Sequence, residues 1–174
     1  VRLVCYNGGY GNFDYFAAKC VQRMQEQYSN IRNCLVLPYI DQPFLERIEI
    51  FKNFKNIMNF VDEKTLKVEK FKEAPELLET KETDEEKSYY LKFDSLRSNC
   101  RVTHQPDFGD LFLYYKSKKH ILEDSLVKYL SSFRSEFHFH EECCEMIYKR
   151  LYDLLDNDDE LFVCALYTRR GGID

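Results

Sequence analysis

The sequence predicts an α+β fold, an antiparallel sheet with helices, from three observations in its carboxy-terminal half. "DLFLYYK" alternates Leu111, Leu113 and Tyr115 against Phe112 and Tyr114, the period-two pattern of a strand with two different faces. Two stretches carry apolar residues at helical spacing. The first is Leu122, Leu126, Tyr129, Leu130 and Phe133 in "ILEDSLVKYLSSF", and the second is Cys144, Ile147, Leu151 and Leu154 or Leu155 over about 141–155. "ELFVCALYT" supplies a further strand, and "RRGG" ends it with a basic pair beside two glycines that let backbone approach a ligand closely.

This compact αβ module is expected over residues 93–174. Upstream, "VRLVCYNGGYGNFD" runs from an apolar strand pattern into a Gly-rich turn, then a helix with Ala17, Cys20, Val21, Met24 and Tyr28 at helical spacing. A second strand follows at "NCLVLPYI", so residues 1–40 read as the opening of a parallel βαβ unit, in which Asn12 or Asp14 caps a helix whose N-terminal amides attract phosphate. Residues 41–92 are densely charged and interrupted by Pro75; their acidic end reads as a solvated connector. There is no internal repeat.

Composition narrows the function classes. The chain has 174 residues, 44% of them hydrophobic, enough to bury a core as one domain or two small ones. A net charge of −5 lacks the clustered basic footprint of a duplex-binding protein and favours a small-molecule ligand. No apolar run approaches the roughly 20 residues that span a bilayer, and the start lacks a secretory pattern, so a soluble, cytoplasmic protein is expected. Seven cysteines at irregular spacing, without a CxxC pair, fit reduced thiols. His138, His140, Cys143 and Cys144 lie close in sequence, but adjacent cysteines seldom present both sulfurs to one ion, and no metal is expected.

Two polar clusters carry candidate chemistry. In "SNCRVTHQPDFG", Cys100 stands seven positions before Asp107 across a Gln-Pro turn, with Arg97, Arg101 and His104 nearby. A thiol of ordinary pKa near 8.5 is mostly protonated at neutral pH, so a nucleophilic Cys100 needs donors or a positive field. In "FRSEFHFHEEC", a His-Glu pair opens a helix, placed to hydrogen-bond a ligand or to cap the helix. On the residues alone, an inert thiol and a helix cap stand beside the functional readings.

"SNCRVTHQPDFGDL", "LVKYLSSFRSEFHFHEECCEMIYKRL" and "LYTRRGGID" occur in the order that resembles the carboxy-terminal half of the long-chain NADPH-dependent 7-cyano-7-deazaguanine reductases. These are the nitrile reductases of queuosine biosynthesis, a tRNA modification; the resemblance covers about residues 88–174 and, more loosely, the stretch from 60. It implies the tunnelling fold (T-fold), whose modules of antiparallel sheet and two helices assemble into barrels, and hence a homo-oligomer with sites where modules meet. It implies that Cys100 attacks the nitrile to form a thioimide and Asp107 supplies a proton. His140 and Glu141 would recognise the deazaguanine edge, and Arg170 and Gly171, beside Arg169, would contact NADPH. Residues 1–40 are similar, over a shorter and less specific stretch, to the start of a Rossmann-like nucleotide-binding domain related to lysine-decarboxylase-like proteins.

These expectations suit the reaction's needs. Capture by sulfur converts a triple bond into an activated C=N that a hydride can attack, and a carboxylate at Glu141 matches the ring N–H and exocyclic amine of a guanine-like base. The chain departs from the family in lacking a Glu-Ser-Lys-Ser segment, for which "LEDSLVKYL" stands, and an Asn-Pro segment after "GGID". Other function classes follow from those departures: a purine-like ligand binder without turnover, an amidine-forming transferase, or a nucleotide sensor built on the first 40 residues.

Overall fold

The computed structural model describes residues 4–6, 32–34, 53–62, 64, 66–155 and 160–168. Near the amino terminus, β1 (Val4–Tyr6) pairs in parallel with β2 (Arg32–Cys34), Cys5 opposite Asn33. The helix expected between them lies outside the described residues.

The remainder is α+β, built on a mostly antiparallel sheet. β3 (Lys55–Asn56) lies along β4 (Thr80–Cys100), which forms a hairpin with β5 (Pro106–Ile121); β7 (Glu160–Tyr167) pairs with the far side of β5. A two-residue strand, β6 (Phe137–His138), pairs in parallel with the end of β4. Two helices, α1 (Glu123–Ser131) and α2 (His140–Leu154), cover one face. Neither described helix is long and apolar enough to cross a membrane.

The pleat decides which side chains meet the helices. Leu91 opposes Leu113, Phe93 opposes Leu111, and Leu111 and Leu113 oppose Ala165 and Val163 on β7, so one face is apolar across three strands. Against it pack Leu126, Val127, Tyr129 and Leu130 of α1 and Cys143, Cys144, Ile147 and Leu151 of α2, all buried. The other face is half polar: Lys92 pairs with Asp110 at 2.7 Å, and Phe54 sets its ring edge-on to Tyr90 and Phe112.

The charged connector expected to run to residue 92 is corrected here, because residues 80–92 are the first half of β4. Two register shifts, between Glu82 and Lys87 and between Phe93 and Leu96, explain why alternation failed to reveal it. Tyr89, Leu91 and Phe93 face the helices at odd positions, and Leu96, Ser98 and Cys100 face them at even ones. The extra residue at the bulge flips the parity and keeps the same face inward.

Tyr115 shows how the core handles a polar tip. Its ring is fully buried, stacked on Tyr89 at 4.7 Å, and its hydroxyl accepts the Ile121 N–H at 3.0 Å. Burial pushes its phenol well above the ordinary range. Tyr115→Phe leaves that N–H buried without an acceptor and is expected to lower stability by about 1–3 kcal/mol, read as a reduced urea midpoint at unchanged slope.

Candidate active site

The β4–β5 hairpin ends at the two residues singled out by the sequence. Cys100 closes β4, and its N–H donates to Gln105 O at 2.8 Å while its carbonyl accepts the His104 N–H at 2.9 Å. His104 turns the chain in the left-handed region, φ 58°, where a residue other than glycine is uncommon. On the other side of β4, Cys100 pairs with His138 and Asn99 with Phe137; Asn99 N–H also donates to Glu136 O at 2.8 Å. The end of β4 is therefore held between two neighbours.

Register places the carboxyl beside the thiol. Ser98 stands directly opposite Asp107, and Cys100 lies two residues further along, on the same face. Diagonal neighbours of this kind have Cα atoms roughly 7–8 Å apart. Cys100 is 7% exposed and Asp107 1%.

A buried carboxylate needs a partner, and Asp107 has one in His140, whose Nε2 lies 3.1 Å from its Oδ2. His140 is the first residue of α2, where the cap is set by Glu142: its carboxylate accepts the Phe139 N–H at 2.9 Å and pairs with Arg101 at 2.8 Å. That backbone bond, more than Arg101 or His138, holds the Glu142 carboxyl below its ordinary value. The imidazole of His140 lies flat on Tyr167, centroids 3.9 Å apart and planes within 2°. Tyr167 stands opposite Gly109 on β5; a Cβ at Gly109 would meet Leu166 O at 2.7 Å, so only glycine fits.

Behind this pair, the Ser98 and Tyr167 hydroxyls border the Cys143 sulfur without well-formed hydrogen bonds. Burial pushes the Cys143 thiol up, against the pull of those two hydroxyls, and pushes the Tyr167 phenol well up. Cys143 thus stays a protonated thiol at neutral pH, a packing group rather than a nucleophile. Around the hairpin end, Arg97 lies over Phe108 at 5.7 Å, Arg101 over Phe139 at 5.5 Å, and His104 edge-on to Phe137 at 5.0 Å. Phe108, Phe137, Phe139 and Val102 are exposed there.

The structure thus gathers Cys100, Asp107 and His140 at one end of the sheet. Glu141 stands next to His140 in the first turn of α2, exposed. Arg170 and Gly171 lie outside the described residues. Ser98 and Tyr167 went unnoticed in the sequence, where only pairing across strands marks them, and Cys143 drew notice only as a metal candidate. Among the described residues no group of His, Cys, Asp or Glu is placed to hold a metal ion. A pocket of about 310 Å³ between Phe60, Tyr89, Tyr90, His120 and Glu123 brings together none of the candidate residues.

A thiol at a strand end, a buried carboxyl and an imidazole 3.1 Å from it are groups whose chemistry can serve as a nucleophile and a proton-handling pair. Residues 106–174 match the family model described as QueF-like protein. Over 112 residues the chain is 40% identical to the NADPH-dependent 7-cyano-7-deazaguanine reductase of Colwellia psychrerythraea, covering 63% of this chain and 38% of the relative. Proteins of the same name from Acinetobacter baumannii and Acinetobacter baylyi are 44% identical over 98 residues and 47% over 79. Those alignments cover 56% and 45% of this chain and 36% and 28% of the relatives. The chain spans little more than a third of the length of the curated relatives it matches.

Proposed function

We propose that this chain carries the nitrile-capturing half of a 7-cyano-7-deazaguanine reductase, adopting a T-fold module and serving queuosine biosynthesis. The observation that carries the reading is the buried Asp107 carboxyl, bonded to His140 and one diagonal step from Cys100 on the same sheet face. In this reading the Cys100 sulfur bonds to the nitrile carbon as its own proton passes to the nitrogen, giving a thioimide. NADPH, named in the relatives, supplies when bound two hydrides to that carbon. As that carbon is reduced, the Cys100 sulfur would leave as thiolate, and Asp107 and His140 would hand protons to the nitrogen. Glu141 accepts from the ring N–H and exocyclic amine of the base.

The residues fit a phosphate-bearing cofactor in one respect: the Arg97 Nε–H is buried with no hydrogen-bond partner, a donor that an anionic oxygen would satisfy. Arg170 and Gly171 remain proposed contacts. The exposed rings of Phe108, Phe137 and Phe139 suit a second copy of the chain seated over the hairpin end, consistent with a homo-oligomer. Mixing the protein with 7-cyano-7-deazaguanine and weighing it intact tests the reading: an adduct of the nitrile's mass is expected, discharged when NADPH is added, with loss of nicotinamide absorbance. An adduct that NADPH leaves in place would point to a binder or transferase, and no adduct would remove the proposal.

A further inference from the structure

We infer that Tyr167 is a positioning residue, a fixed shelf that holds the His140 ring in the plane where its Nε2 meets Asp107. A face-on pair at 3.9 Å and 2° is an arrangement that neutral aromatic rings avoid unless their surroundings impose it. Here they do. Tyr167 is 4% exposed, its backbone is locked opposite Gly109, and its hydroxyl end is wedged among Ser98 and Cys143, both fully buried.

His140 is different, because its side chain is 29% exposed and begins a helix. Asp107 holds the imidazole on its edge and Tyr167 holds it on its face. The second torsion of a histidine is broad and weakly restrained, so without the phenol ring the imidazole turns and Nε2 leaves the carboxyl. Gly109 belongs to the same device, since any side chain there would push Tyr167 out of its plane. The ring of Tyr167, not its hydroxyl, does this work, which separates it from a proton donor.

The inference rests on the proposed function for its kinetic arm alone. The full chain is compared with Tyr167→Phe, which keeps the ring, and with Tyr167→Leu and Tyr167→Met, which remove it; Met fills more of the space should Leu fail to fold. With nitrile and NADPH, kcat is expected to fall about tenfold to hundredfold in the ringless variants, at roughly unchanged KM for the nitrile, and to be preserved in Tyr167→Phe. By NMR, the His140 ring protons are expected upfield in the unmodified and Phe proteins, shielded by the stacked ring, and downfield in Leu and Met. His140 resonances unmoved in every variant, or a Phe variant as impaired as Leu, would overturn the role. A protein that consumes no NADPH with the nitrile would end the proposed function, and the ring-proton positions would still decide the role of Tyr167.

Discussion

Cys100→Ala is expected to form no covalent adduct with 7-cyano-7-deazaguanine and to lose turnover by on the order of 10⁴-fold or more, as other covalent enzymes do without their nucleophile. The side chain is small, sits at a strand end and is 7% exposed, so replacing sulfur by hydrogen opens little space and leaves the sheet intact. The comparison is therefore one of chemistry at constant fold. Intact mass reads it directly, and near-identical thermal midpoints confirm the fold. All four described thiols are buried, Cys100 at 7% exposure and Cys143, Cys144 and Cys164 at none. An adduct that survives the substitution would transfer the chemistry to another cysteine and dissolve the site as drawn.

Asp107→Asn is expected to capture the nitrile and then stall. Asparagine has the same shape and can still bond to His140, so the burial of that position and its contact at 3.1 Å are kept in outline. It cannot pass a proton between ring and substrate, and the loss of a positioned acid is worth about 10²–10⁴-fold. The thioimide should then accumulate in the presence of NADPH, whereas the unmodified protein discharges it. Stopped-flow absorbance of the nicotinamide, run beside quenched mass measurements, separates capture from reduction. Normal turnover in this variant would take Asp107 out of the proton path.

How far the sequence announced this arrangement depends on the element. β5 and β7 were plain because their alternation is unbroken, Leu111, Leu113 and Tyr115 on one and Val163, Ala165 and Tyr167 on the other. The helical stripes of α1 and α2 landed within a residue or two, with Leu126, Tyr129 and Leu130 buried on one and Ile147 and Leu151 on the other. β4 was half hidden. Its acidic first part looked like solvated linker, and the bulge after Phe93 broke the period that would have exposed the rest. The site was legible only in part for a related reason. Cys100 and Asp107 are neighbours through a hairpin, a local relation that a turn signal can suggest. His140, Tyr167 and Gly109 come together through the pairing of β5 with β7 and the seating of α2, contacts between residues far apart in the chain that no local pattern encodes. His140 drew notice as a partner of Glu141 for ligand; the fold sets its Nε2 3.1 Å from Asp107, a relation the sequence did not suggest.

The tight return at residues 100 to 105 bears on the entropy of the first bond-forming step. Both main-chain hydrogen-bonding groups of Cys100 are engaged within that return, and the strand continues into a second ladder at His138. What is left to the sulfur is rotation about a single torsion, a handful of staggered positions rather than a wandering loop. A nucleophile tethered this closely gives up little freedom when it closes on an electrophile, because that freedom was surrendered when the chain folded.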